Sequence, residues 1–261
     1  MDDVSEPHSN FRKLIGAGAN IAGGAIGGAL GFFAAGPEGA AALGAAGAAA
    51  SAALQHIGEE AAQRLLGPRE AARIGGVLAI AAAEISKRIN AGEVPRQDDF
   101  FEEKAAGRSD AEEVAESVIL KSQREPEEKK IPYMGHLLSN VAFDSSISAH
   151  MAHQLAKIAE SSTYRQLCLL RLAVVKNNYR LRQSDYRGRS EFENILYQVL
   201  YECLDLYHKS LVNFGNGVVF GLTDIKPASM AIQGLGTDLY YQMNLSEIPD
   251  SDLLPIVHQL R

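Results

Sequence analysis

The sequence predicts a mainly α protein with three parts: an N-terminal glycine-zipper helical hairpin, an all-helical middle domain, and a small α+β, winged-helix-like C-terminal domain. Three observations carry this reading. The stretch Gly16 to Leu54 holds one charge, Glu38, in thirty-nine residues and is built almost wholly of Gly and Ala. Between Glu59 and Asn178 apolar residues recur at helical spacing behind recognisable helix starts. Beyond Ser210 the pattern alternates and is cut by Gly215-Asn216-Gly217 in the manner of a β-hairpin.

The elements follow in order. Residues 1–10 read as a disordered tail and 11–58 as the hairpin. Arg12 and Lys13 precede Leu14 to Pro37, twenty-four residues without a formal charge, a helix of about 36 Å at 1.5 Å per residue. Gly36-Pro37-Glu38-Gly39 supplies the breakers of a turn, and Gly39 to Gly58 forms a second uncharged stretch of about 30 Å. A helical domain then spans 59–178. Its first helix, interrupted at Gly67-Pro68, runs to Asn90 with Ile74, Val77, Leu78, Ile85 and Ile89 on one face. An acidic segment from Asp98 to Glu128 contains a loop at 105–110 and a helix over 111–123. Pro126 is expected at a first helical position, with Lys129 and Lys130 after the acids of that turn. Ser146 or Ser148 caps a helix to about Glu160, and Thr163-x-x-Gln166 is a capping box. A basic linker over 179–190 leads to the last domain, 191–261: a helix from Phe192 to Tyr207, a hairpin over 210–224, a strand near Ser229–Ile232, and helices near 237–243 and 250–260.

Composition bounds the function. The chain has 261 residues, 46% of them hydrophobic, enough for a packed core. A net charge of -7 argues against a nucleic-acid coat. Cys168 and Cys203 lie in apolar runs without metal-ligand spacing, which fits buried thiols in a reducing compartment. The opening MDDVSEPHSN lacks the basic start and apolar block of a secretory signal, so the expectation is a protein that is cytoplasmic when made.

The glycines set the central hypothesis. Gly23, Gly27 and Gly31 fall every fourth residue, Gly24 and Gly28 form a parallel row, and Gly44 continues the theme after the turn. Such rows leave a flat helix face on which another backbone packs closely in lipid. In water each interior helix glycine costs up to about 1 kcal/mol against alanine. The strong hydrophobes of the first helix, Phe32 and Phe33 among them, contribute only about -2 to -4 kcal/mol toward insertion. Neither helix inserts securely alone, which suits a protein that enters a membrane only on self-association. A tightly packed soluble hairpin or oligomer core is the alternative reading.

Other constellations weigh less. Arg165, Arg171, Lys176, Arg180, Arg182, Arg187 and Arg189 face a single acid, Asp185, between 165 and 189. They either contact anionic phosphates or pair with the acidic segment 98–128. The C-terminal domain carries nine acids against three bases, so its groove-facing helix suits protein rather than nucleic acid. His150-x-x-His153 lacks a third metal ligand, and no phosphate loop or nucleophile motif appears. The reading is therefore of a non-enzyme with no cofactor and no metal.

Residues 111–170 carry a resemblance. Glu127 to Lys130, Asp144 and Tyr164 to Leu167 resemble the acid/Lys-rich helix start, the apolar helix ending near an Asp, and the L-T/S-x-x-Q-L helix of the abortive-infection-alpha-like group of prokaryotic proteins. The likeness covers about a quarter of the chain. Ser229 to Leu245 is similar to the L-T-x-x-G-x-x-L ending of winged-helix domains, with Gly234 departing from the usual side chain. The resemblance implies a bacterial anti-phage or toxin context. The expected activity is thus a membrane-disrupting effector that works at the inner membrane, through the lipid bilayer and further copies of itself. Arg12, Lys13, Phe32, Phe33, Arg180, Arg182, Arg187 and Arg189 are its membrane or anion contacts, and a partner protein that restrains the hairpin is left open. The competing expectation is a soluble oligomeric scaffold or regulator with a protein-binding winged-helix domain.

Overall fold

The computed structural model describes residues 67–105, 107–189, 191–215 and 217–261. The hairpin, and with it Arg12, Lys13, Phe32, Phe33 and every glycine of the proposed zipper, lies outside the described residues. What is described is mainly helical, with eight α-helices and one two-stranded sheet. It forms two compact units that divide between Ser161 and Ser162.

In the first unit, α1 (Pro68–Asn90) starts where the sequence places its break, with Pro68 in the first turn and the Gly67 N–H donating to Glu70 at 2.8 Å. A loop follows with a 3-10 turn at Asp99–Phe101. The buried Arg96 fastens it by donating to the carbonyl of Ile147 at 2.7 Å, pairing with Asp98 at 2.5 Å and lying 4.2 Å from the Phe100 ring centroid. The Arg96 guanidinium, donating to the Asp98 carboxylate, holds that group below its ordinary value.

The helices α2 (Asp110–Gln123), α3 (Ile131–Val141) and α4 (Ala149–Ser161) follow, the last of the described helices in this unit. Ser109 caps α2 and exchanges bonds with Glu112, while the Ser148 hydroxyl accepts from Met151 at the start of α4. Close approach of α1 and α3 fixes the core. A Cβ added to Gly135 would stand 2.8 Å from that of Ile80, and one on Gly76 would stand 3.1 Å from a methyl of Ile131. Ile74, Val77, Ile85, Met134, Leu137 and Leu155 are buried around this contact.

The expectation for Pro126 is corrected here. It precedes a 3-10 turn, Glu128–Lys130, and the helix begins only at Ile131 with Pro132 in its first turn. The cause is Lys130, whose ammonium turns inward to a buried Glu125 at 2.5 Å rather than outward along a helix surface.

In the second unit α5 (Tyr164–Val175) is the central element, with Leu167, Leu169, Leu170 and Leu172 fully buried. Thr163 and Gln166 form the expected reciprocal cap, at 3.1 and 2.9 Å. Around α5 pack α6 (Asn194–His208), α7 (Leu235–Gln242), α8 (Asp250–Gln259) and the strand β2. That strand, Ala231–Ile232, pairs antiparallel with β1, Val212–Asn213, in the register Val212 to Ile232.

Two expectations are corrected in this unit. Among the described residues of 210–224 no strand pair forms a hairpin. The N–H groups of Phe220 and Gly221 donate instead to the Asp224 carboxylate, at 2.8 and 3.2 Å, so they are withdrawn from a ladder, and β1 pairs with β2 across a long loop. Nor is 179–190 a linker. Leu181 and Tyr186 are buried, the Arg182 N–H donates to Leu260 and the Tyr186 N–H to Thr223. The boundary thus falls before α5, not after it, because α5 is this unit's core. Gly234, which departs from the winged-helix pattern, has φ of +48°, a region that favours glycine.

Candidate functional site

Most of the basic residues expected at a ligand surface are used inside the second unit. Arg165 pairs with the buried Glu202 at 2.6 Å, which also accepts from the Thr163 hydroxyl. Arg171 donates to the carbonyl of Ile248 and pairs with Asp250 at 2.6 Å, while Lys176 donates to the carbonyl of Met230. Arg182 donates twice to the Asp185 carbonyl at 3.1 Å and lies 4.8 Å from the Tyr186 ring centroid. Arg187 pairs with Asp224 at 2.7 Å, and this guanidinium holds the Asp224 carboxyl below its ordinary value. The partners are carboxylates and backbone carbonyls of the second unit. Among the described residues Arg180 and Arg189 are the exposed members of the group without an ion pair.

Arg187 and Asp224 line a cleft of about 340 Å³ together with Asp185, Lys226, Phe214 and Val219. Its two acids and two bases cancel, so it concentrates neither sign of charge. Among the described residues no group of three or more His, Cys, Asp or Glu is placed to hold a metal, and His150 and His153 lie along α4. Neither cysteine forms a disulfide among the described residues, both are buried, and burial raises the Cys203 thiol above its ordinary value. No described helix is long and apolar enough to cross a membrane.

Tyr186 is only 1% exposed and its hydroxyl has no hydrogen-bond partner among the described residues. Burial raises its phenol above the ordinary value. An unpaired buried hydroxyl costs about 1–3 kcal/mol, and the ring contact with Arg182 does not need it. Tyr186→Phe is therefore expected to stabilise the second unit by about 1 kcal/mol. Urea unfolding followed by circular dichroism checks this, and a loss of stability would show that the hydroxyl has a partner.

The surface feature that the sequence reading missed lies on α6. Leu196, Val199, Leu200, Cys203 and Leu206 point into the core. The opposite side presents Tyr197 and Tyr201, one turn apart and 52% and 61% exposed, followed by Leu204 and His208. Beside the C-terminal end of α6 the loop places Val218 and Phe220, the latter 84% exposed, with the Val219 N–H donating to the Tyr207 hydroxyl at 3.3 Å. Two tyrosines at i, i+4 opposite the apolar stripe were the signal.

Comparison with protein-family models, with curated proteins and with solved structures finds no match.

Proposed function

We propose that the protein is a membrane-disrupting effector of an anti-phage or toxin-type system, in which the Gly/Ala-rich N-terminal segment inserts as a self-associating helical hairpin. The observation that carries this is the double glycine row, Gly23, Gly27 and Gly31 beside Gly24 and Gly28, in an uncharged stretch directly behind Arg12 and Lys13. Glycines at that spacing lose stability in a lone water-exposed helix and regain it by backbone-to-backbone packing in lipid. Gly44 extends the packing face beyond the turn, Phe32 and Phe33 sit at the apolar end, and Arg12 and Lys13 meet anionic headgroups. Of the seven bases between 165 and 189, Arg180 and Arg189 are the exposed ones without an ion pair among the described residues, and they add to that contact. The protein is made in the cytoplasm and acts at the inner membrane.

The test is dye release from anionic liposomes by the full-length protein. Release is expected, and Gly27→Leu is expected to reduce it at least tenfold while leaving the helical signal of the remainder unchanged. Full release by that variant would overturn the packing role of the glycines. A second reading is favoured by Tyr197 and Tyr201: the C-terminal unit, whose order of helix, strand, loop, strand and helix is winged-helix-like, docks protein in a soluble oligomeric scaffold. No release, together with a discrete oligomer that Gly27→Leu dissociates, would decide for the scaffold.

A further inference from the structure

The cleft of the second unit has cancelling formal charges, but its hydrogen-bonding groups are not all matched. Its walls are tied together: the Tyr186 N–H donates to the Thr223 carbonyl at 2.8 Å, and the Asp224 carboxylate accepts from Arg187 Nε and from the Phe220 and Gly221 N–H groups. Those donors commit Asp224 and hold Arg187 against it. Three other polar groups of the lining keep unused capacity. Asp185 Oδ2 stands 3.9 Å from Arg187 Nε, outside hydrogen-bond distance, and Asp185 Oδ1 accepts from the Arg187 backbone N–H at 3.3 Å. Among the described residues the Lys226 ammonium and the Ser229 hydroxyl make no hydrogen bond and no ion pair. Phe214 and Val219, 4% and 6% exposed, add an apolar wall.

A molecule complementary to this lining is neutral as a whole and charged at both ends. An anion would satisfy Lys226 and leave Asp185 desolvated without a counter-charge, a cation would do the reverse, and an uncharged molecule would leave both unpaired; each mismatch costs affinity. A volume of about 340 Å³ lies in the range of small-molecule pockets. We propose that the cleft binds a zwitterion of the amino-acid class, a free α-amino acid or a dipeptide with an apolar side chain, whose ammonium meets Asp185, whose carboxylate meets Lys226 and Ser229, and whose side chain covers Phe214 and Val219. The two sources share this chemistry and differ in length. Arg187 and Asp224, bonded to each other, position the walls and leave the ligand to the uncommitted groups. Neither the membrane reading nor the scaffold reading uses this cleft, so the proposal goes beyond both and does not depend on either.

The experiment is a titration of the full-length protein with leucine and with dileucine, followed by the amide chemical shifts of Phe214, Val219, Lys226 and Ser229. Saturable shifts are expected with at least one of the two, and the tighter one fixes the length of the ligand. Isocaproate, which lacks the ammonium, and isoamylamine, which lacks the carboxylate, should each bind about tenfold more weakly than leucine, the loss of one hydrogen bond to a charged group. Asp185→Asn should weaken leucine by a similar factor and leave isocaproate unchanged. Lys226→Met should weaken leucine and leave isoamylamine unchanged, while Lys226→Arg keeps leucine binding. A residue that merely supported the fold would weaken every ligand alike. The analogues need no substitution, so they test the proposal even where a variant fails to fold. Absence of saturable shifts with both zwitterions, equal binding of leucine and its two analogues, or leucine binding insensitive to both Asp185→Asn and Lys226→Met would overturn it.

Discussion

Lys130→Met is expected to cost the first unit about 3–5 kcal/mol. Lys130 is 1% exposed, its ammonium stands 2.5 Å from Glu125 and 3.3 Å from the Glu160 carbonyl, and Glu125 is itself buried. Methionine preserves the unbranched stem and most of the volume, so packing changes little. What remains is a carboxylate in an apolar interior with the Glu127 N–H, at 3.0 Å, as its remaining donor within the turn. Two charges together tolerate that interior, and one does not. The consequence reaches both neighbouring helices, since the ammonium ties the turn before α3 to the last turn of α4. Adding Glu125→Gln to Lys130→Met removes the stranded charge while keeping an acceptor for Glu127, and should recover most of the loss. Urea unfolding of the single and double variants, with exchange in α3 and α4 to localise the effect, measures both. A single-variant loss under about 1 kcal/mol, the range of exposed pairs, would mean that the pair is solvated.

That pair also shows what is legible in the sequence. Local chemistry was readable: the Thr163 box, the start of α1 at Gly67-Pro68 and the helix over 110–123 each depend on residues within one turn. Arg-Glu-Pro-Glu-Glu-Lys-Lys reads as a helix start at Pro126, however, because nothing within it reveals that one glutamate and one lysine turn inward. The missing hairpin has the same cause. Gly215-Asn216-Gly217 is a sound turn signal, but the following N–H groups are captured by Asp224, and Asp224 is held by Arg187 from a segment thirty-seven residues earlier. For the candidate site, the tyrosines of α6 stand on a wheel that anyone can draw. The acids of the same helix dominate its polar surface in the sequence, yet two of them, Glu202 and Asp205, are spent on Arg165 and Lys209.

A single added methyl at Gly236 is expected to destabilise the second unit by about 3 kcal/mol or more, at the upper end of overpacking costs. A Cβ built there would stand 2.0 Å from the Leu211 carbonyl oxygen and 2.8 Å from its carbon. The obstacle is backbone, so no rotamer change relieves it. The backbone is pinned as well: the Leu211 carbonyl accepts from the Gln233 N–H at 3.0 Å, its N–H donates to Leu206, and its side chain is fully buried. Moving Leu211 away would pull on β1, which begins at the next residue, and moving α7 away would strain Gly234, whose φ of +48° suits glycine. Either adjustment loosens the end of α6 and the start of the loop that carries Val218 and Phe220. Gly236→Ala is thus expected to lower the unfolding midpoint and to raise exchange in β1 and β2, whereas Gly188→Ala, where an added Cβ meets nothing within 4 Å, should leave both unchanged. Equal stability of the two variants would show that α7 and β1 can separate without cost, and that the strand pair does not hold the loop against α6.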